Sequence, residues 1–177
     1  TGMVPDLSLG LPGRHNMENA VAASATALRM GVSQDDLRQG LASFKGVKRR
    51  FERIINREDC IYIDDYAHHP EELRACIQSV KELYPGKKLV GIFQPHLFTR
   101  TRDFMSGFAE SLSALDTCWL MPIYPARELP LEGVNSEALL AQISAEEKGV
   151  KGPEEVIAWV KENKPELIVT LGAGDID

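Results

Sequence analysis

Ile61-Tyr62-Ile63-Asp64-Asp65-Tyr66-Ala67-His68-His69-Pro70 reads as a short apolar strand, a polar turn, and the start of a helix that Pro70 can open. Two carboxylates, a phenol and two imidazoles crowd that one strand-to-helix connection. In an open α/β sheet, ligands bind beyond the carboxyl ends of the strands. The stretch therefore sets a fold class and a place for chemistry together. A solvated loop with a few capping bonds is the plainer reading, but so dense a run of ionisable groups argues for a site.

Downstream, the pattern keeps alternating. Leu73, Ile77, Val80 and Tyr84 recur at helical spacing until Pro85-Gly86 ends that helix. Leu89-Val90-Gly91-Ile92-Phe93 is a continuous apolar run, as expected of a parallel strand covered on both faces. Phe104, Phe108, Leu112 and Leu115 mark one further helix with those side chains in the core. Residues 117–121 and 167–171 read as strands, and 136–144 and 153–160 as helices. Strands separated by helices imply right-handed crossovers. The expected fold is α/β and Rossmann-like, a largely parallel sheet covered by helices.

Upstream, residues 14–45 read as two helices. The first, from about residue 16 to residue 30, is rich in Ala and stopped by Gly31. Ser33 can cap the second, with Leu37 and Leu41 on one face. The basic run Lys48-Arg49-Arg50 separates this pair from the alternating strands and helices, so the expected units are residues 1–48 and 49–177.

The chain has 177 residues, 44% hydrophobic and 26% charged, with a formal net charge of −6. Such a chain has no general electrostatic drive toward nucleic acid or an anionic membrane. Cys60, Cys76 and Cys118 form no C-x-x-C pair, so neither a disulfide framework nor a zinc ribbon is indicated and a reducing cytoplasm fits. No apolar run reaches membrane-spanning length. No G-x-x-x-x-G-K-[ST] phosphate loop occurs. The start at Thr1-Gly2-Met3 and the stop just beyond a strand are those expected of a piece of a longer protein.

Four polar clusters fall at the expected carboxyl edge of the sheet. They are the 64–70 turn, Gln94-Pro95-His96-Leu97-Phe98-Thr99-Arg100-Thr101-Arg102, the group Tyr124, Arg127 and Glu128, and Gly172-Ala173-Gly174-Asp175. Arg100 and Arg102 offer planar donors suited to carboxylate or phosphate, where a surface ion pair is the blander role. With His96 they favour anion binding. Asp64, Asp65, His68 and His69 are also acceptable ligands for zinc or manganese. Their order places them around one turn, and no remote cluster completes a site, so no metal is expected to be held here.

These residues resemble the Mur ligases, ATP-dependent amide ligases of peptidoglycan precursor synthesis. His15-Asn16-Met17-Glu18-Asn19-Ala20-Val21-Ala22-Ala23 is similar to their H-N-x-x-N-x-x-A-A helix, and Arg49-Arg50-Phe51-Glu52 to the segment where their central and C-terminal domains join. The 64–70 and 94–102 motifs resemble the member that joins L-alanine to UDP-N-acetylmuramate. The resemblance implies a three-domain enzyme, of which this chain is the C-terminal amino-acid-binding domain preceded by a helical tail of the central ATP-binding domain. It implies the substrates ATP, UDP-N-acetylmuramate and L-alanine, an acyl phosphate, and magnesium held mostly by the central domain. The missing N-terminal and central domains are the surfaces on which this chain docks, and alone it is expected to fold without ligating.

Residue by residue, the resemblance places Asn16 and Asn19 at the adenine edge, Arg50 near the ATP phosphates and Asp65 near the ribose. Tyr66, His68, His96 and Arg100 fall in the part of the cleft that accepts alanine and its carboxylate. Arg50 and His68 are the expected catalytic residues. Leu97 stands where some relatives carry a basic residue, so the carboxylate clamp rests on Arg100 and His96. His69, pressed against Pro70, reads as structural. Three rivals remain: a murein peptide ligase of peptidoglycan recycling, a metal-dependent phosphoesterase built on the Asp-His turn, and a non-catalytic nucleotide-binding module.

Overall fold

The structure, a computed structural model, describes residues 4–11 and 13–176. The chain divides into two compact units, one ending at Val47 and the other beginning at Lys48. The first holds α1 (Arg14–Arg29) and α2 (Gln34–Ser43). Gly31, at φ 90°, takes the left-handed backbone that ends α1. Ser33 caps α2 by accepting the Asp36 N–H at 3.1 Å. Leu37 is the buried side chain of α2, whereas Met17, Val21, Met30 and Phe44 are exposed.

The second unit is built on a six-stranded sheet. In chain order its elements are β1 (Glu52–Asn56), β2 (Ile61–Asp65), α3 (Pro70–Leu83), β3 (Val90–Phe93), α4 (Phe98–Asp103), α5 (Met105–Leu112), β4 (Thr117–Leu120), α6 (Ser136–Leu140), β5 (Glu147–Val150), α7 (Pro153–Asn163) and β6 (Leu167–Leu171). The strand order is β1-β2-β6-β3-β4-β5. β1 runs antiparallel to β2, and the other pairs are parallel.

Period-two alternation splits the core between the two faces of the sheet. Ile61, Ile63, Phe93, Cys118, Leu120, Leu167 and Val169 pack with α3, α5 and α6 through Leu73, Ile77, Phe108, Leu112 and Leu139. Val90, Ile92, Trp119 and Ile168 point the other way, onto Val156, Trp159 and Val160 of α7. The order of strands explains the division. From β2 to β5 the chain steps one way across the sheet, then β6 returns to sit between β2 and β3. Right-handed crossovers put the helix of a reversed step on the opposite face.

Register decides where the site lies. Asp65 is level with Leu171, and Leu171 with Phe93. Phe93 is in turn level with Leu120. The ladder continues past the strands, with Gly172 N–H donating to Asp65 O at 3.1 Å and Gln94 N–H to Leu171 O at 3.0 Å. The loops after β2, β6, β3 and β4 therefore open side by side, where the strand order reverses.

Several elements differ from the sequence expectations. Asp64 and Asp65 end β2 and are buried, instead of standing in the turn. The single helix expected around Phe104 is two, broken at Phe104, which is 40% exposed and not core. Its ring meets His69 edge-on at 4.6 Å, and the core packing of α5 begins only at Phe108. The helix expected over 136–144 stops at Leu140. Both outer strands escape an apolar pattern. β1 has only Glu52 and Ile55 half-buried and the rest exposed, with an irregularity between Arg53 and Ile55, while β5 reads Glu-Lys-Gly-Val. A strand with one neighbour has no need of two apolar faces.

Candidate functional site

The first part of the site is a staple. Arg49 donates from Nε to Asp64 Oδ2 at 3.2 Å, from Nη2 to Gly172 O at 2.7 Å and from Nη1 to Gly174 O at 2.9 Å. One planar guanidinium thus ties the start of the unit to the ends of β2 and β6. Asp64 is 1% exposed, and its other oxygen takes the Thr170 hydroxyl at 2.5 Å. The glycines are required by closeness. A Cβ on Gly172, at φ 148°, would stand 2.9 Å from Gln94 O, and one on Gly174 would stand 2.2 Å from Gln94 Oε1.

Asp65 has a comparable internal job. Oδ2 accepts the Phe51 N–H at 2.7 Å and Oδ1 the Ala67 N–H at 2.8 Å. Arg49 and Phe51 both hold positive φ, 58° and 51°. Backbone of that kind is strained for non-glycine residues and persists where surrounding bonds fix it. The Tyr66 N–H to Arg49 O bond, 2.7 Å, and the Arg49 N–H to Glu52 Oε2 bond, 2.7 Å, complete the fixing.

This clamp presents Tyr66, Arg50 and His68. The Arg49 and Arg50 guanidiniums lie 5.1 and 5.4 Å from the Tyr66 ring centre. Arg50 is half exposed, with a loose 3.9 Å contact to Glu72. His68 Nδ1 lies 2.9 Å from Tyr66 O and 3.3 Å from Glu72 Oε2. Both neighbours are acceptors, which assigns the neutral ring's hydrogen to Nδ1 and leaves the Nε2 lone pair for a ligand. His69 instead caps α3, accepting the Glu71 N–H at 3.4 Å.

The second part is the loop after β3. Leu97, at φ 71°, turns the chain into α4 and donates its N–H to Tyr124 O at 2.9 Å. The Tyr124 ring stacks on His96 at 5.5 Å and 15°. Glu128 Oε2 accepts the Thr99 N–H at 2.9 Å, and Oε1 takes the Thr99 hydroxyl. Three buried polar atoms of this loop have no protein partner, Gln94 Oε1, His96 Nδ1 and Arg100 Nη1. Native proteins pair nearly all such atoms, and the imidazole and guanidinium among them mark a place prepared for a ligand. Burial first, then Arg100 and His68, lower the His96 pKa against an opposing pull from Glu128. His96 rests as the neutral ring.

One sheet edge thus gathers Arg50, Asp65, Tyr66, His68, His96 and Arg100. Asn16 and Asn19 lie in the other unit, three residues apart on one side of α1, Asn16 half-buried and Asn19 exposed. Arg49 and Glu72 were not singled out from sequence. The Arg49-Arg50 pair offered no sign of which guanidinium is turned inward, and Glu72 reads as an ordinary first-turn acid. Among the described residues, no group of three His, Cys, Asp or Glu side chains could hold a metal ion. The Asp64 and Asp65 oxygens, which a phosphoesterase on this turn would need, are committed to protein donors.

The family model of the Mur ligase, glutamate ligase domain, matches residues 49–174. The chain belongs to the Mur ligase family. It is 49% identical over 174 residues to UDP-N-acetylmuramate–L-alanine ligase of Flavobacterium johnsoniae, covering 98% of this chain and 39% of that one. The chain thus spans about two fifths of the length of that Mur ligase. Among solved structures, UDP-N-acetylmuramate-alanine ligase of Thermotoga maritima superposes with a TM-score of 0.77 at 29% identity, over 96% of this chain and 37% of that one. A murein peptide ligase of Psychrobacter arcticus gives 0.66 at 26% identity, over 95% and 36%. No helix among the described residues is long and apolar enough to cross a membrane.

Proposed function

We propose that this chain is the amino-acid-binding portion of a cytoplasmic, ATP-dependent ligase that joins L-alanine to UDP-N-acetylmuramate in peptidoglycan precursor synthesis. The observation that carries the reading is the orphaned pair Arg100 Nη1 and His96 Nδ1 at the carboxyl edge of the sheet, in a chain half identical to a ligase named for that reaction. A guanidinium held open beside a neutral imidazole suits a small carboxylate. Tyr66 closes the same cleft, and the His68 Nε2 lone pair is suited to receive a proton from the attacking amine.

ATP supplies the phosphoryl group that activates the muramate carboxylate, with magnesium held mainly by residues outside this chain. Arg50 fits the phosphate side, because its guanidinium is half exposed and only loosely paired. Asn16 and Asn19 present amide edges suited to adenine. Asp65 contributes by fixing the turn that carries Tyr66 and His68, close to where a ribose would lie. The rest of the ligase, its N-terminal and central domains, forms the opposite wall of the cleft, on which this chain docks.

The murein peptide ligase reading differs only in its acceptor. The deciding experiment expresses the chain with the whole of its reading frame and supplies ATP, UDP-N-acetylmuramate and either L-alanine or the murein tripeptide. L-Alanine is the expected acceptor. A preference for the tripeptide overturns the assignment.

A further inference from the structure

We propose that Glu128 is a positioning residue for the amino-acid site: by capping the first turn of α4 through Thr99 it keeps the Arg100 fork free to receive the carboxylate of the incoming amino acid. The inference rests on Arg100 as the carboxylate-binding group of the proposed ligase and adds to it the device that holds Arg100 ready.

The geometry begins with a helix lacking its own cap. Leu97 stands at the cap position before α4, its side chain can accept nothing, and no side-chain hydrogen bond of its own closes that end. The first-turn N–H groups of such a helix need acceptors from elsewhere. Glu128 supplies one from the loop after β4. It takes both the N–H and the hydroxyl of Thr99. The same loop is tied to the 94–102 loop at two further points, Tyr124 N–H to Pro95 O at 2.8 Å and Leu97 N–H to Tyr124 O at 2.9 Å. Glu128 is thereby held in place, its own N–H donating to Pro125 O at 2.8 Å beside the left-handed Ala126.

What Glu128 leaves alone is as informative. Arg100 is one residue beyond Thr99, and a carboxylate this near would ordinarily close on the guanidinium as a forked pair. Both Glu128 oxygens are instead occupied by Thr99, and Arg100 Nη1 stays without a partner. The negative charge sits near enough to be felt without filling the fork. The charged groups facing it are Arg100 and the exposed Arg102, with the neutral but titratable His96 beside them, while His68 approaches His96 from the other loop. The Thr99 hydroxyl, then its N–H, hold the Glu128 carboxyl below its ordinary value, so the cap is fully charged at neutral pH.

The test uses the intact ligase with Glu128→Ala, Glu128→Gln and, as a reference, Arg100→Ala. Losing an acceptor at a charged cap is expected to raise the KM for L-alanine roughly tenfold in Glu128→Ala. The KM values for ATP and UDP-N-acetylmuramate should stay near their starting values, and kcat should fall less than the alanine KM rises. Glu128→Gln retains an acceptor for the Thr99 N–H and is expected to recover most of the loss. In the 177-residue chain, an NMR titration of the His96 ring should move to lower pH in Glu128→Gln, because a charge that favours the imidazolium is gone. If Arg100→Ala raises the alanine KM while Glu128→Ala does not, the positioning role is wrong and the site reading stands. If Arg100→Ala itself leaves that KM unchanged, the site reading is wrong and takes this inference with it. A fall in kcat with a comparable rise in all three KM values, together with a fall in Tm, would make Glu128 purely structural and overturn the proposal.

Discussion

Arg49 Nε lies 3.2 Å from Asp64 Oδ2, and both side chains are nearly closed to solvent, at 13% and 2% exposure. The pair sits between the entry into β1 and the Gly172–Gly174 carbonyls, so three separate stretches of chain share one guanidinium. Removing one partner of a buried pair leaves the other charge uncompensated, a loss on the order of 3–5 kcal/mol. Arg49→Ala is expected to lower unfolding free energy by roughly 3 kcal/mol in urea denaturation of this chain. Arg49→Lys should recover only a minor part, because one ammonium cannot meet a carboxylate and two carbonyls in the same plane. Near-native stability in the alanine variant would show that Asp64 is satisfied by Thr170 alone.

The glycines of the β6 loop should separate into two kinds. A Cβ at Gly172 meets backbone, Gln94 O at 2.9 Å, in a conformation with φ 148°. Neither the strain nor the clash has an easy escape, and Gly172→Ala is expected to cost about 2–3 kcal/mol of stability. A Cβ at Gly174 meets the end of a side chain, Gln94 Oε1 at 2.2 Å, and the Tyr124 ring at 3.0 Å. Gln94 can swing away only by giving up its Nε2 bond to Asp175 Oδ1, 2.9 Å. Gly174→Ala should therefore cost less, about 1 kcal/mol, while shifting the NMR signals of the Gln94 amide and the Tyr124 ring. Equal costs for the two variants would contradict this reading of the loop.

These contacts also mark where the sequence was readable. The strands buried on two faces, Val90–Phe93 and Leu167–Leu171, carry short, almost wholly apolar runs, broken only at Thr170, as a covered parallel sheet requires. The helix at Pro70 announces itself through its proline and its apolar spacing, whereas its cap, His69, is seen only in the structure. By contrast, β1 and β5 have one neighbour each, so their composition is free to be polar and the periodic signal vanishes. The break at Phe104 is equally silent. No proline or glycine stands there, and what separates α4 from α5 is a tertiary contact with His69. Within the site, sequence identified which loops meet but not how they are held. That Arg49 turns inward while Arg50 faces out depends on positive φ at Arg49 and Phe51, a backbone feature with no residue-type signature here.

His96 makes a pH prediction whose sign follows from burial. Its pKa is lowered in the folded chain, by desolvation first and by Arg100 and His68 after that. The unfolded chain binds the proton more readily, so stability rises with pH across the interval between the folded and unfolded values. As pH falls through the ordinary histidine value toward the lowered one, the folded state loses ground. His96→Phe keeps a ring against Tyr124 but has nothing to protonate. Comparing the two chains by urea denaturation from about pH 7 down to about pH 5, the native chain should lose more stability than the variant. Parallel curves would mean that His96 titrates normally.

Arg100 carries the sharpest functional prediction. Its Nη1 is buried without a protein partner, so a bound carboxylate gains a charge-assisted contact with a donor already withdrawn from solvent. In the intact ligase, Arg100→Ala should weaken apparent alanine affinity by roughly 2 kcal/mol or more, much of it from leaving the substrate carboxylate unpaired. The change belongs in the KM for L-alanine, with ATP and UDP-N-acetylmuramate little affected. Arg100→Lys should rescue in part, since a point charge restores attraction but not the fork. Arg50→Ala provides the contrast. Its guanidinium is half exposed and only loosely paired, and under the proposed phosphate role that variant should lower kcat while leaving alanine dependence nearly intact. Steady-state kinetics with each substrate varied in turn would distinguish the two. Interchanged behaviour, with Arg50 governing alanine and Arg100 governing turnover, would reverse the assignment of the two sides of the cleft.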